Sequence, residues 1–379
     1  MILNRRSTLV ISLLFITIIS SILYVSIRQN ESILFLEDLV AGHEKSRLKS
    51  HTPKPKQISI NYEIKSNQYQ ADLYIPQESA LASIVLIPGV AAQGKEDLRL
   101  VAFATTLARS RFMVLVPEIS NLRELKIRAE DSRTIIDAFT YLISRPDIPV
   151  QGQAGIGAFS YAVGPAVLAA LDPDVREKID FILSVGGYYD VEQVITFFTT
   201  GYFKNDNGWQ YIKPNEYGKW VFVLSNIERL SRQTDKEIFY AIAQRKMDNP
   251  NASIEDLTNN LSVEANSILA LLKNQNYSET LTLITGIPNA IRADLNALNL
   301  SNKNLSQLNA KLILLHGIDD DIIPYTESIL LSRAVAEGQS ELFIVDGLAH
   351  VNVHPNLVNQ WKLLRAIDAL LDLRKDKLE

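Results

Sequence analysis

The stretch AGIGAFSYAVGPAVLAAL, residues 154–171, joins a short apolar run to a helix-like one through a single serine, Ser160. Ala158 and Ala162 lie two residues before and two residues after this serine, and Gly164 follows closely. A strand that turns sharply into a helix crowds these positions and admits only small side chains there, while it exposes the serine hydroxyl. Small residues are also common by chance, so the role of Ser160 depends on what the rest of the chain supplies.

The composition limits the class of protein. The chain has 379 residues, of which 47% are hydrophobic and 21% charged, enough for one large α/β domain with an insertion or for two domains. The formal net charge of -5 gives no electrostatic reason to expect nucleic acid as a partner. Cysteine is absent from the sequence, which excludes disulfides, thiolate zinc sites and a catalytic cysteine.

The order of apolar segments predicts an α/β sheet. Residues 57–66 and 68–76 alternate apolar and polar side chains and predict an antiparallel pair with one exposed face. Apolar runs that suit strands buried on both faces follow at residues 82–89, 112–118, 154–160, 181–189, 311–317 and 341–347. Segments with helical periodicity separate most of them, at residues 95–110, 121–145, 161–172, 325–337 and 356–374. This alternation predicts a doubly wound, mostly parallel sheet.

The interval of residues 190–308 is too long for a simple crossover, which needs about a dozen residues. It is rich in Asn, Leu, Ile and aromatic residues, and it predicts a mainly helical cap inserted between two parts of the core, residues 57–189 and 309–379. We expect this cap to lie above Ser160, to exclude water and to favour apolar acyl or alkyl groups over small charged substrates.

The histidines narrow the choice of a general base. The chain has five of them, at His43, His51, His316, His350 and His354. The first two belong to a polar N-terminal segment far from any predicted strand, and the third ends an apolar run, where we expect a structural role. His350 follows the last predicted strand, and His354 comes four residues later, where we expect a loop or surface position. Their loop leaves the carboxyl end of its strand, on the sheet edge that also carries Ser160.

Aspartates follow two of the other predicted strands on the same edge. Asp319, Asp320 and Asp321 come directly after the run 311–317, and Asp190 comes after the run 181–189. Any of the four could orient a catalytic histidine. A solvated turn and a calcium site are the other interpretations of the three consecutive aspartates, but no second acidic cluster with suitable spacing supports a metal.

At these residues the sequence resembles the α/β-hydrolase superfamily. HGIDDDIIP, which begins at His316, resembles the H-G-x-x-D-x-x-V-P block, and this implies that Asp320 is the catalytic acid. GLAH resembles the family's G-x-x-H and implies that His350 is the base. The resemblance covers about residues 57–190 and 308–375 and leaves the cap unmatched.

The resemblance also implies an oxyanion hole. The segment from IVLIPG to LVPEI, residues 84–119, is similar to the strand, oxyanion loop, helix and strand of dienelactone-hydrolase-like esterases. By position, the backbone N–H groups of Val90 and Tyr161 would be the donors. The sequence departs from the family's pattern at two points. It has A-x-S-x-A around Ser160 where the family has G-x-S-x-G, and Pro88-Gly89 where the family has His-Gly. Neither change removes a catalytic group, because the hole uses backbone N–H groups.

The sequence therefore predicts a serine hydrolase that cleaves an ester or related acyl bond of a small molecule through Ser160, His350 and Asp320, without cofactor or metal. A serine hydroxyl needs a neighbouring base, and an imidazole with a pKa of about 6.5 can accept its proton while a carboxylate orients the ring. Two other hypotheses stay open. One is a non-catalytic scaffold that binds a ligand or protein through its cap, and the other is a peptidase or acyltransferase with the same triad.

Residues 8–27, TLVISLLFITIISSILYVSI, carry no charge. As a helix they would span about 30 Å, the thickness of a bilayer core, so we predict a membrane anchor within residues 1–28 and a polar juxtamembrane tether over residues 29–56. A cleaved signal peptide and a buried core helix are the alternatives. Arg5 and Arg6 bias the N terminus to the cytoplasm, which predicts a single-pass protein with an extracytoplasmic catalytic domain.

Overall fold

The computed structural model describes residues 30–148, 152–349, 352–353 and 360–375. The predicted anchor, residues 8–27, lies outside the described residues. Within the part of the chain that is described, no helix combines the length and the apolar character that crossing a bilayer requires. Up to the cap, the helices and strands are α1 (residues 30–41), α2 (Arg47–His51), β1 (Lys56–Ile64), β2 (Asn67–Ile75), β3 (Ala82–Ile87), α3 (Leu98–Arg109), β4 (Phe112–Pro117), α4 (Ser120–Arg123), α5 (Asp131–Ser144), β5 (Ala154–Phe159), α6 (Val163–Ala170) and β6 (Phe181–Val185).

The cap and the second part of the core follow. The elements of the cap are α7 (Val191–Thr200), β7 (Tyr202–Asn205), β8 (Gly208–Tyr211), α8 (Tyr217–Asn226), α9 (Gln233–Asp248), α10 (Glu255–Thr258), α11 (Val263–Leu272), α12 (Thr280–Gly286) and α13 (Asn289–Leu298). The elements after it are β9 (Lys311–Gly317), α14 (Thr326–Arg333), β10 (Ser340–Val345), β11 (Leu348–Ala349), β12 (Asn352–Val353) and α15 (Gln360–Asp372).

Among the described strands, eight form one sheet in the order β1-β2-β4-β3-β5-β6-β9-β10. β2 pairs antiparallel with β1 and β4, and the other neighbours pair in parallel. Every residue of β3, β4 and β6 is buried, as expected for strands with helices on both faces. Each predicted apolar run contains one of these strands, so the predicted mostly parallel α/β sheet is confirmed.

Successive residues of a strand point to opposite faces of the sheet, and the core divides accordingly. Val85 packs in one apolar cluster with Phe139 of α5, with residues of α6 and with much of the cap. Ile84 packs in the other with residues of α1, α3 and α15, among them Phe103 and Leu370. The sheet is therefore covered on both sides, which is the doubly wound arrangement that the alternating sequence predicts.

Residues 190–308, the predicted cap, are mainly helical, and they also contain a hairpin that the prediction missed. β7 and β8 pair antiparallel, with Asn205 opposite Gly208. The tip reads Asp206-Asn207-Gly208, and Gly208 has a φ of +106°. The two loop residues, Asp206 and Asn207, do not have positive φ, whereas Gly208 directly after them does. An Asn or Asp followed by Gly is a sequence signal for a tight hairpin. The apolar residues nearby, such as Phe203, obscured that signal in the sequence.

The predicted tether is folded against the core over its described residues. Phe35 of α1 is buried with its ring centroid 6.1 Å from that of Phe103. Asp38 is also buried and accepts a hydrogen bond of 2.7 Å from the Thr106 hydroxyl. Arg374, after α15, pairs with a glutamate of α1 at 2.5 Å. Asp38 and the α1 glutamate thus have partners in the core, and the amphipathic face of α1 packs on it.

Candidate active site

Ser160 lies at the junction of β5 and the short turn that leads into α6. Its φ is +55°, in the left-handed region that a residue with a side chain rarely adopts. Such a conformation costs on the order of 1–3 kcal/mol and persists only where the surrounding structure enforces it. The backbone therefore has the sharp strand-to-helix geometry that the small residues around Ser160 predict. The same prediction includes an exposed hydroxyl, whereas Ser160 is buried, with 6% of its surface exposed.

The small side chains around Ser160 have identifiable neighbours. Ala158 and Ala162 are fully buried on either side of the turn. A Cβ atom on Gly164 would lie 1.9 Å from the hydroxyl oxygen of Tyr188, so only glycine fits there. The Tyr188 hydroxyl itself donates to the carbonyl oxygen of Leu298, the last residue of α13, at 3.1 Å. The tight turn thus also makes room for a contact between core and cap.

Asp320 lies in the loop after β9 and is 1% exposed. Its Oδ1 atom accepts hydrogen bonds from the backbone N–H groups of Ile322 at 2.8 Å and Ile323 at 2.9 Å. Such bonds stabilise the ionised carboxylate and fix its orientation. Asp319 is exposed and Asp321 is partly buried, so Asp320 is the most enclosed of the three consecutive aspartates.

The alternative acid, Asp190, is engaged elsewhere. It lies at the N-terminal end of α7, where its Oδ1 atom accepts a hydrogen bond of 2.9 Å from the backbone N–H of Glu192. Aspartate is a preferred residue at this helix position, because its side chain satisfies an N–H group that has no partner within the helix. This contact gives Asp190 a structural role that the sequence did not reveal.

His316 holds the acid loop in place. Its Nε2 atom lies 2.9 Å from the carbonyl oxygen of Ile323, and because a carbonyl only accepts, this nitrogen carries the proton. Its Nδ1 atom lies 2.7 Å from the hydroxyl oxygen of Ser328, and the ring is fully buried. The Oδ2 atom of Asp320 lies 3.4 Å from Nε2. Both ring nitrogens are therefore used inside the fold, in the structural role expected for His316.

The predicted base, His350, lies outside the described residues, and so does His354. The residues just before His350 are described, and they run beside the acid loop. The Ile318 N–H donates to the carbonyl oxygen of Val345 at 2.8 Å, and a Cβ atom on Gly317 would lie 1.9 Å from the carbonyl oxygen of Leu348. The chain that leads into His350 therefore packs directly against the strand that leads into Asp320.

The predicted oxyanion loop runs alongside the turn at Ser160. A Cβ atom on Gly89 would lie 3.8 Å from the Cβ atom of Phe159, the residue before the serine. Val90 and Tyr161 are both buried, with 7% of each exposed. The Tyr161 hydroxyl is enclosed and has no hydrogen-bond partner within the described residues, and burial, with the nearby Asp320 charge, raises its pKa.

A cavity of about 60 Å³ lies between the core and the cap, next to this turn. Apolar residues of α7, α8 and α13 line most of it, among them Val194, Phe222 and Leu295, and the rings of Tyr161 and Tyr188 complete it. The lining does not include Ser160, although Tyr161 is the next residue. The cavity therefore adjoins the candidate site through the Tyr161 side chain, which the sequence had identified only for its backbone N–H.

The site as described holds no obvious metal position. Within residues 30–148, 152–349, 352–353 and 360–375, no three histidine, aspartate or glutamate side chains are grouped closely enough to bind a metal ion. Asp320, the buried member of the aspartate cluster, uses one carboxylate oxygen for two backbone N–H groups.

Comparison with known proteins bears on the fold. No protein-family model matches the sequence, and no curated protein matches it. Among solved structures, a proposed hydrolase from Legionella pneumophila superposes with a TM-score of 0.53 at 11% identity, over 85% of this chain and 89% of that one. With the sheet order and the turn at Ser160, this decides the architecture. The chain has the α/β-hydrolase fold.

Two further structures are similar at lower scores. Dienelactone hydrolase from Anabaena variabilis has a TM-score of 0.42 and 11% identity, over 83% of this chain and 96% of that one. Acylaminoacyl peptidase from Pyrococcus horikoshii has a TM-score of 0.43 and 12% identity over 85% of this chain. The present chain spans 42% of the length of that peptidase.

Proposed function

We propose that the protein is a serine hydrolase that cleaves an ester or a related acyl bond through an acyl-enzyme. Ser160 is the nucleophile, His350 the general base and Asp320 the acid that orients it. The observation that carries the proposal is the φ of +55° at Ser160, a strained backbone on a residue that bears a hydroxyl, at the end of a buried parallel strand. Strain of this kind accumulates at functional sites, where it orients a reacting group.

The chemistry follows from the residue types. His350 takes the proton of the Ser160 hydroxyl as the hydroxyl attacks the carbonyl carbon, and later returns it to the leaving group. Asp320 stabilises the resulting imidazolium, and its own charge is maintained by two backbone N–H groups. The N–H groups of Val90 and Tyr161 bind the oxyanion, a contribution on the order of 3 kcal/mol for each donor.

The proposed substrate is an ester or acyl compound with an apolar group. The support for this is the cavity beside Tyr161, whose walls are mostly aliphatic and aromatic side chains of the cap. A buried apolar wall stabilises apolar groups of a bound substrate, because each methylene that it removes from water contributes about 0.8 kcal/mol to the free energy of binding.

A fluorophosphonate probe tests the proposal without knowledge of the substrate. The wild-type protein should be labelled, and Ser160→Ala should not be. On a p-nitrophenyl ester, Ser160→Ala and His350→Ala should each lower kcat by roughly a thousandfold or more, and the double variant should lose little beyond either single one. Circular dichroism should show an intact fold. Labelling that survives Ser160→Ala, or activity losses that simply add, would contradict the assignment of the triad. A wild-type protein that is neither labelled nor active would favour a non-catalytic scaffold.

We further propose that residues 8–27 anchor the protein in a membrane with the catalytic domain on the extracytoplasmic side. The support is the length of the uncharged segment and the basic pair at Arg5 and Arg6. Full-length protein should stay with membranes through high-salt washing, because apolar burial is insensitive to salt. Release by salt alone would contradict the anchor.

The folded N-terminal segment sets where a soluble version can begin. A chain that starts at residue 29 keeps α1 and should be soluble and active. A chain that starts at residue 57 loses the buried Phe35 and Asp38 and leaves Phe103 and Thr106 without these partners, so we expect a melting temperature lower by several degrees. Equal melting temperatures would show that the packing of α1 contributes nothing.

A further inference from the structure

Three residues of the cap segment Asn215–Gly218 contact the acid loop, the predicted oxyanion loop and Tyr161 of the turn at Ser160. The backbone N–H of Asn215 donates to the carbonyl oxygen of Asp321, beside the predicted acid, at 2.7 Å. The Tyr217 hydroxyl donates to the carbonyl oxygen of Val90 in the predicted oxyanion loop, also at 2.7 Å. Gly218 faces the Tyr161 side chain, and a Cβ atom there would lie 3.0 Å from the Tyr161 hydroxyl oxygen.

These contacts are held in place on the cap side. The Asn215 Oδ1 atom accepts a hydrogen bond of 3.0 Å from the backbone N–H of Tyr217, which fixes the start of α8. The Trp220 side chain on the next turn of that helix is buried. Burial raises the pKa of Tyr217 to about 12, so its hydroxyl keeps its proton and remains a donor under ordinary assay conditions. The donor is therefore oriented, and it stays protonated at the pH of an ordinary assay.

We propose that Tyr217 is a positioning residue for the oxyanion hole, an inference that rests on the proposed hydrolase function. The Val90 carbonyl that accepts the Tyr217 hydrogen bond belongs to the peptide that follows the predicted Val90 N–H donor. Holding that carbonyl fixes the backbone on one side of the donor, while the turn at Ser160 fixes the Tyr161 N–H on the other. The cap thus takes part in transition-state stabilisation and does more than cover the site.

The variant Tyr217→Phe tests this, because it keeps the ring and removes only the hydroxyl. We expect kcat to fall by about tenfold, with KM changed less than twofold and the melting temperature preserved within a few degrees. The affinity for a trifluoromethyl ketone, which forms an oxyanion adduct with the serine, should fall by a similar factor. A matched control is Tyr240→Phe on α9, since 51% of Tyr240 is exposed, and it should behave as wild type.

A second variant keeps the test decisive if Tyr217→Phe fails to fold. In Gly218→Ala the new methyl group would press on Tyr161 and lie 3.1 Å from the Cβ atom of Phe198, so kcat should also fall while the fold is retained. Wild-type kcat and ketone affinity in Tyr217→Phe would overturn the proposal. Because Ser160→Ala is tested separately, loss of labelling in that variant together with an unaffected Tyr217→Phe would reject only the role of Tyr217.

Discussion

The edge of the sheet and the cap build the two sides of one site by different means. At the edge, the groups proposed to react are fixed by backbone geometry, as in the positive φ of Ser160 and the two N–H groups that hold Asp320. The cap approaches with side chains, through the hydroxyl of Tyr217 and the apolar walls of the cavity. The sheet edge therefore tolerates little change, whereas the cap can vary its side chains and keep its fold. We expect edge variants to change kcat most and cap variants to change substrate preference.

The largest effect on activity should come from the carboxylate at the sheet edge. Asp320→Asn should lower kcat by roughly a thousandfold or more, because the amide can still accept from the backbone but cannot stabilise the imidazolium. Asp190→Asn is the matched control, since asparagine caps a helix as well as aspartate does, and it should retain near wild-type kcat. If Asp190→Asn causes the damage instead, the acid has been assigned to the wrong strand.

A smaller effect should follow from a single methyl group on the backbone of the edge. Gly317→Ala must separate β9 from Leu348, and a misplacement of about 1 Å at the site can cost on the order of a hundredfold in rate. Its melting temperature should also fall. In the cap, Gly286 has no atoms within 4 Å of a Cβ position, so Gly286→Ala should leave kcat unchanged and slightly stabilise α12. Equal kcat values in the two variants would show that the backbone at the sheet edge is no more sensitive to substitution than that of the cap.

The same contrast explains what could be predicted from the sequence. Backbone requirements select few residue types, so Ala158, Gly164 and the apolar strands leave a recognisable pattern around Ser160 in the sequence itself. The aspartate cluster was visible too, and the resemblance to the family's block implied Asp320. Its burial and hydrogen bonds also distinguish Asp320 from its neighbours. The helical nature of the cap followed from its length and composition.

Contacts made by ordinary side chains could not be predicted in this way. Tyr217 belongs to no motif, and its hydrogen bond to Val90 joins residues 127 positions apart in the chain. The packing of α1 was not predicted, because its residues were assigned to a juxtamembrane tether, whereas Asp38 and its partner Thr106 are buried together. In each case a distant partner decides the outcome, and local sequence does not carry that information.

A third prediction concerns the cavity between core and cap, where we expect substitutions to change the preference for acyl chain length by a few-fold in kcat/KM. In a series of p-nitrophenyl esters, kcat/KM should rise from acetate toward medium chains by about 1 kcal/mol or less for each buried methylene. Leu295→Ala enlarges the cavity and should move the optimum to a longer chain. Leu281→Ala on α12 is the control, because 54% of that side chain is exposed. An optimum at acetate in all three proteins would show that the cap does not select the substrate.

The smallest effect on activity is expected at the junction of core and cap, where Glu327 of α14 is 1% exposed. Its Oε2 atom accepts hydrogen bonds from the backbone N–H groups of Tyr189 at 3.0 Å and Asp190 at 2.7 Å, at the start of the cap. Burial raises the pKa of Glu327 from 4.5 to about 8, and the nearby Asp190 charge adds to the rise. The folded protein thus binds this proton more tightly than the unfolded chain does.

Because the pKa is higher in the folded state, the contribution of Glu327 to stability is complete below pH 4.5 and is lost as the pH rises toward 8. The Asp131 carboxyl, whose pKa burial raises to about 6, acts in the same direction over the lower part of this range. Glu327→Gln keeps an oxygen for the two N–H groups and removes the titration. Its kcat should stay within twofold of wild type, while its melting temperature should fall less between pH 5 and pH 8. An unchanged pH dependence would mean that the Glu327 carboxyl is hydrated and that its ionisation does not weaken the junction.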